Sequence, residues 1–293
     1  MADCSSCKDK SCPSQARQPE ESEQEYAQRC ALSSRLCRIK EKLVVLSGKG
    51  GVGKSTVAVN LAIALAKKGK QVGLLDVDVH GPSIPTLLNL EGHQVVGDGD
   101  GVEPLSCNGV KVMSVGFLLQ DESEAVIWRG PAKYGVIKQF LSTVNWGDLD
   151  CLIVDCPPGT GDEPLSVMQI IKDVDGAIVV TTPQNLALCD VRRSITFCRR
   201  LEVPVVGVIE NMSGFVCPHC GEKVDIFKSG GSKAMAEEMD VEFLGAIPLG
   251  PEIVQSCDAG TPVVLDESDS TIVKAFNGVL EKTLAKSSKE LEK

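Results

Sequence analysis

The run Gly48-Lys49-Gly50-Gly51-Val52-Gly53-Lys54-Ser55-Thr56 satisfies G-x-x-x-x-G-K-[ST]. Glycines at this density let backbone N–H groups converge on phosphate oxygens, and a helix opening at Lys54 adds its partial positive charge. In such a cradle Lys54 would reach the β- and γ-phosphates of ATP, and the Ser55 hydroxyl would hold Mg²⁺. The bland alternative is a glycine turn with solvated lysines. An apolar strand before the loop and helical spacing after it speak against that alternative. Lys49 is a second lysine inside the loop. It could supply charge to its own site or, across an interface, to a partner's nucleotide, like an arginine finger.

Acidic residues at the carboxyl ends of two apolar runs belong to the same chemistry. Leu74-Leu75-Asp76-Val77-Asp78 and Leu152-Ile153-Val154-Asp155 both read as strands whose ends face a ligand crevice. Asp155 suits a water-mediated hold on Mg²⁺, with Pro157-Pro158-Gly159-Thr160-Gly161 as the switch loop behind it. Asp78 is placed to orient the attacking water. Asp76 belongs either to the metal shell or to a structural cap, and spacing alone leaves both open.

A second chemistry resides in thiols. Cys217-Pro218-His219-Cys220-Gly221 is a turn that presents two thiolates, with His219 as a neighbour. A closed tetrahedral centre needs four ligands, and no second C-x-x-C lies nearby. Two protomers related by a twofold axis could each contribute a pair. Four thiolates suit Zn²⁺ or a [4Fe–4S] cluster equally, and inert thiols or a two-thiol redox motif also stay open. Cys4, Cys7 and Cys12 form a further set, readable as a second cluster site or as a reactive thiol tail. Its fourth ligand would be Cys30, Cys37 or external.

These residues need a scaffold. Short continuous apolar runs near 43–46, 71–76, 151–155, 176–181, 203–209 and 242–247 alternate with helical patterns. The helical patterns begin at Lys54 and recur near 131–143, 164–172, 187–201 and 231–239. Such alternation predicts an α/β fold, a doubly wound and mostly parallel sheet with helices on both faces. The stretch 95–119 adds a hairpin, and Ile272, Phe276, Val279 and Leu280 form one stripe of a last helix. Residues 1–38, polar and cysteine-bearing, are expected to be a flexible extension in which the acidic residues Glu20, Glu21, Glu23 and Glu25 could start a short solvated helix, with the nucleotide domain over 39–293 and a cysteine insert near 213–228.

Composition bounds the rest. The 293 residues suffice for one large domain or two small ones, and 43% apolar with 24% charged residues is ordinary for a globular chain. The net charge of −10 argues against a nucleic-acid surface. No apolar run is long enough for a membrane span, and Met1 to Lys10 has no signal-like apolar region. A cytoplasmic chain that keeps its 13 cysteines reduced is the expectation.

Longer stretches of text carry a family resemblance. They include Asp78-Val79-His80-Gly81-Pro82-Ser83-Ile84-Pro85, Trp128-Arg129-Gly130-Pro131, Asp155-Cys156-Pro157-Pro158-Gly159-Thr160-Gly161-Asp162-Glu163 and Thr182-Pro183-Gln184. Glu210-Asn211-Met212-Ser213-Gly214-Phe215 then leads into the cysteine pair. With the doubled-lysine loop, residues 40–265 resemble the Mrp family of iron–sulfur cluster carriers. These belong to the deviant Walker A class of P-loop NTPases, with MinD, ParA and the nitrogenase iron protein. The resemblance implies a homodimeric ATPase, or one paired with a homologous subunit, that passes a [4Fe–4S] cluster to apoproteins. It implies that Lys49 acts across the dimer, that Cys217 and Cys220 hold a bridging cluster, and that Asn211 and the loop after Leu249 recognise the base. The chain departs from the family at Gly250, where an acidic residue is usual, and at Ala132-Lys133-Tyr134. A MinD- or ParA-like positioning ATPase and a zinc-stabilised nucleotide switch are the competing functions, and the acidic balance and short carboxyl-terminal apolar stripe disfavour the first.

Overall fold

The computed structural model describes residues 17, 19, 21–97, 101–118, 130–171, 173–217, 219–268 and 270–290. Cys4, Cys7, Cys12, Trp128, Arg129 and Pro218 lie outside the described residues.

The central strand β1 (Ile39–Ser47) runs into the glycine loop, and α2 (Lys54–Lys67) carries the chain back to β2 (Val72–Asp76). A short helix α3 (Ile84–Leu87) precedes the hairpin β3 (Leu105–Cys107) and β4 (Val110–Ser114). Helix α4 (Gly130–Thr143) leads to β5 (Leu149–Asp155), and α5 (Asp162–Ile171) to β6 (Gly176–Thr181). Then come α6 (Asn185–Arg200), β7 (Val205–Glu210), α7 (Gly231–Glu238), β10 (Phe243–Ala246), α8 (Pro251–Asp258) and α9 (Thr271–Glu290). Between β7 and α7 sits a small separate hairpin, β8 (Phe215–Val216) and β9 (Lys223–Val224).

The main sheet has the order β10-β7-β6-β1-β5-β2-β4-β3, parallel throughout except for β3 against β4. Helices α2 and α9 pack together against one face, and α6 and α7 against the other. Every residue of β2 and β6 is therefore buried, which explains why these strands read as unbroken apolar runs instead of alternating ones. Parallel strands all deliver their carboxyl ends to the same edge, and the loops after β1, β2, β5, β6 and β7 converge there.

The structure differs from the expected flexible extension over residues 1–38. Residues 23–36 form helix α1 (Glu23–Leu36), started by a reciprocal capping box between Ser22 and Glu25. Its buried Leu32 and Leu36 and the Arg35 bond to Asn145 (3.2 Å) fix it against α4 and the segment after it. The sparse apolar residues of this stretch concealed a single i, i+4 pair that is enough to dock one face. Among the described residues, no helix is long and apolar enough to cross a membrane.

Candidate functional site

The phosphate loop bridges β1 and α2 as its sequence requires. Gly53 caps α2 with φ +82°, and a Cβ built there would lie 2.2 Å from the Asn211 amide nitrogen. Gly48 is needed for a different reason: a Cβ there would stand 2.4 Å from that of Asp190 on α6. Helix α6 thus rests directly on the loop.

Sheet register brings the acidic residues together. Asp76 at the end of β2 stands opposite Asp155 of β5 on one side and Ser114 of β4 on the other. Lys54 reaches into this group. Its Nζ lies 2.5 Å from Asp155 Oδ1 and 3.3 Å from Ser55 Oγ, while Ser55 donates to Asp155 Oδ2 at 2.5 Å. Burial by itself disfavours the Lys54 ammonium. The Asp155 charge and hydrogen bond, with Asp78 and Asp76 behind them, outweigh burial and raise its pKa above the ordinary lysine value.

Of the two readings open for Asp76, the cap is visible. Its Oδ1 accepts the N–H of Asp78 (3.1 Å), and its Oδ2 accepts the N–H of Ile84 (3.3 Å) and the Ser114 hydroxyl (3.0 Å). It anchors the loop after β2 and the start of α3. Full burial, then the adjacent Asp155 charge, push its pKa up to about 7 despite the Asp78 N–H, Lys54 and Ser114. Asp78 lies nearer the surface on that loop. Burial raises its pKa too, against the opposing pull of Lys54 and of the His80 and Gly81 N–H groups. His80 and Glu163 meet at 3.1 Å, which joins the loop after β2 to the first turn of α5.

Lys49 turns along its own chain, donating to Gln184 Oε1 at 3.1 Å where α6 begins. Asn211, at the end of β7, is buried and donates to Val52 O at 2.9 Å. At Gly250 a Cβ would meet the side-chain ends Ile272 Cδ1 at 2.1 Å and Glu252 Oε2 at 2.7 Å, so both would have to move to admit a side chain. Glu252 thus brings a carboxylate close to the point where the family usually has its acidic residue.

The cysteine pair stands on the β8–β9 hairpin, beyond the same sheet edge. Gly221 N–H donates to Cys217 O (2.8 Å) and Cys217 N–H to Glu222 O (2.9 Å), closing a tight knuckle. Cys217 is half-buried and Cys220 exposed. The N–H groups of Cys220 and then His219, with the Cys220 side chain, hold the Cys217 thiol below its ordinary pKa and so favour the thiolate. Val216, Val224 and Ile226 expose 43–53% of their surface around it. Among the described residues, no group of three or more His, Cys, Asp and Glu is arranged to hold a metal ion. Cys151, Cys156 and Cys198 are buried in the core with raised pKa values, Cys198 to about 12.

Neither Ser114 nor Gln184 nor Asp190 is marked as a site residue by its sequence context. Gln184 follows Thr182-Pro183, but nothing along the chain marks its side chain as the Lys49 partner. Ser114 and Asp190 carry no local signal at all, because only sheet register and helix packing bring them in.

Residues 38–284 match the family described as ParA: NUBPL iron-transfer P-loop NTPase. The iron-sulfur cluster carrier protein of Methanocaldococcus jannaschii is 50% identical over 266 residues, 90% of this chain and 91% of that protein. A cytosolic Fe-S cluster assembly factor NUBP2 homolog of Nematostella vectensis is 50% identical over 249 residues, 83% of this chain and 92% of its own. Among solved structures, a nucleotide-binding protein in complex with ADP from Archaeoglobus fulgidus superposes with a TM-score of 0.71 at 42% identity. That match covers 79% of this chain and 91% of the other.

Proposed function

The chain belongs to the NUBPL iron-transfer P-loop NTPase family, and on that premise we propose that it is an ATP-dependent carrier that assembles an iron–sulfur cluster and passes it to apoproteins. The observation that carries this is the pairing of two sites at one sheet edge: a buried phosphate loop after β1 and, two strands away after β7, a half-buried and an exposed thiol with the Cys217 thiolate favoured. Two thiolates are half of what a [4Fe–4S] cluster or a tetrahedral metal needs. A second copy of the chain, or a homologous subunit, supplies the other half.

The nucleotide chemistry follows from the residues around Asp155. Lys54 and Ser55 are bonded to Asp155 here, so ATP binding exchanges those contacts: Lys54 moves to the β- and γ-phosphates and Ser55 is freed. The Ser55 hydroxyl and the Asp155 carboxylate are hard oxygen donors side by side, which fits Mg²⁺. Bound there, the ion would neutralise phosphate charge. Asp78 orients the attacking water, and the bond joining His80 to Glu163 carries changes between the loop after β2 and the start of α5. Lys49 leaves Gln184 and contributes its charge across the dimer. Hydrolysis is slow, because the γ-phosphate serves as a switch between two grips on the cargo.

Anaerobic reconstitution tests this. The wild-type protein takes up iron and sulfide, shows the Mössbauer spectrum of a cluster and activates an apoprotein. The Cys217→Ser, Cys220→Ser protein takes up almost none. Undiminished uptake and transfer by that variant would refute the proposed site, and zinc in anaerobically purified protein would favour the nucleotide-switch alternative.

A further inference from the structure

Between the phosphate loop and the cysteine hairpin lie two adjacent buried side chains that face opposite ways. Asn211 turns to the phosphate loop: its amide donates to Val52 O at 2.9 Å and packs so tightly on Gly53 that no Cβ fits between them. Its own N–H is tied to Thr181 O at 2.7 Å, so it has little freedom to drift. Glu210 turns to the insert. Its Oε1 accepts the Ser213 hydroxyl (2.5 Å) and the Gly230 N–H (2.9 Å), and its Oε2 accepts the Ser232 N–H (2.8 Å).

Ser213 is where the chain leaves the sheet for the hairpin, and Gly230 and Ser232 are where it returns to begin α7. One carboxylate therefore closes both ends of the excursion that carries Cys217 and Cys220. The carboxylate is wholly inaccessible to solvent, yet its donors hold its pKa below the ordinary value despite burial, so it stays charged and its bonds stay strong. Met212, the residue after Asn211, sits at φ +57°. A non-glycine residue in the left-handed region stores strain, and such strain persists only where neighbours enforce it. Two further bonds, Ser213 N–H to Ile247 O (2.9 Å) and Leu249 N–H to Gly214 O (2.8 Å), bind the departing chain to the loop after β10.

We propose that Glu210 and Asn211 form one latch, through which the state of the phosphate loop sets the grip of Cys217 and Cys220 on a metal, and the reverse. This rests on the reading that the cysteine pair holds a metal centre. Glu210 and Ser213 are positioning residues: they touch neither nucleotide nor thiol. Displacing Val52 and Gly53 shifts Asn211, the rigid link to Glu210 shifts the root of the hairpin, and the distance between thiols and their partners changes. Linkage makes the effect reciprocal, so nucleotide changes metal affinity by the same factor as metal changes nucleotide affinity.

The probe is Co²⁺, whose thiolate charge-transfer absorption reports binding at the pair. It is titrated under nitrogen into the full-length protein with and without a nonhydrolysable Mg-ATP analogue, and nucleotide affinity is measured with and without Co²⁺. In the wild type, each ligand shifts the other's dissociation constant by the same factor, on the order of 5-fold or more. Ser213→Ala and Glu210→Gln bring the factor close to one, and Ser213→Thr, which keeps the hydroxyl, restores it. The quantity read is a ratio of affinities, which a merely loosened hairpin lowers on both sides without abolishing. Wild-type coupling in both Ser213→Ala and Glu210→Gln overturns the latch. So does Co²⁺ binding at Cys217 and Cys220 that ignores nucleotide in the wild type, and in that case the carrier reading still stands. Absence of Co²⁺ binding at the pair defeats both.

Discussion

The phosphate loop and the cysteine hairpin follow β1 and β7, two strands of one sheet separated by β6, but are built in opposite ways. In the first, Lys54 and Asp155 are buried with their charges compensated by one another and by Ser55, and the buried Asp76 is bonded to a hydroxyl and backbone N–H groups. In the second, the thiols stand at the surface on a two-residue ladder, held by a few backbone bonds, with exposed valines and an isoleucine around them. A buried charge must be fully satisfied by its own chain, because desolvation is costly. A thiol pair that still reaches solvent has no such requirement and can leave half its coordination to another molecule. The nucleotide centre is therefore part of folding, whereas the hairpin is an appendage whose chemistry, on the proposed reading, is completed from outside.

Removing the central cation breaks this contrast most directly. Lys54→Ala strands a fully buried Asp155 and should cost about 3–5 kcal/mol of unfolding free energy in addition to the loss of ATP binding. Chemical denaturation measures it. Stability equal to wild type would mean that Asp155 is compensated elsewhere and that the centre is no more demanding than the hairpin.

A smaller effect separates the two regions by pH. The Asp76 pKa is raised from 3.8 to about 7, so the folded state holds a proton that the unfolded state has released. Its stabilisation is complete below about pH 4 and is lost as pH rises to about 7, with a slope of at most about 1.4 kcal/mol per pH unit. The melting temperature of wild type relative to Asp76→Asn should decline across that window and level off above it. A flat difference would remove Asp76 from the buried network. Glu210 has the opposite sign: its depressed pKa contributes stability above the ordinary glutamate value that is lost as pH falls.

The smallest effect concerns the hairpin. Alkylation of Cys217 by iodoacetamide should show a pH midpoint below that of an ordinary thiol, because N–H groups point at its sulfur. Peptide mapping after graded exposure gives the midpoint. An unshifted midpoint would reduce the knuckle to an unstructured thiol pair.

Much of the buried centre was legible because its signals are contiguous: glycines that tolerate φ +82°, a lysine and serine opening α2, and aspartates ending apolar runs. The strands were legible because helices cover both faces of the sheet. The docking of helix α1 was not, since its acidic start suggests a solvated helix and two leucines in a polar stretch mark no stripe; α3 and α8 are too short to show a period.

By itself, then, the order of residues determined the strand and helix alternation, the phosphate loop and the thiol turn, each set by neighbours along the chain. Only the tertiary structure decided that Asp76 caps a loop, that Lys49 meets Gln184, and that Asn211 braces a carbonyl 159 residues away. It alone decided that one carboxylate at position 210 closes both ends of the cysteine insert. Those contacts depend on which strand ends become neighbours in the sheet and how closely a helix approaches a glycine. Chain separation carries no record of either.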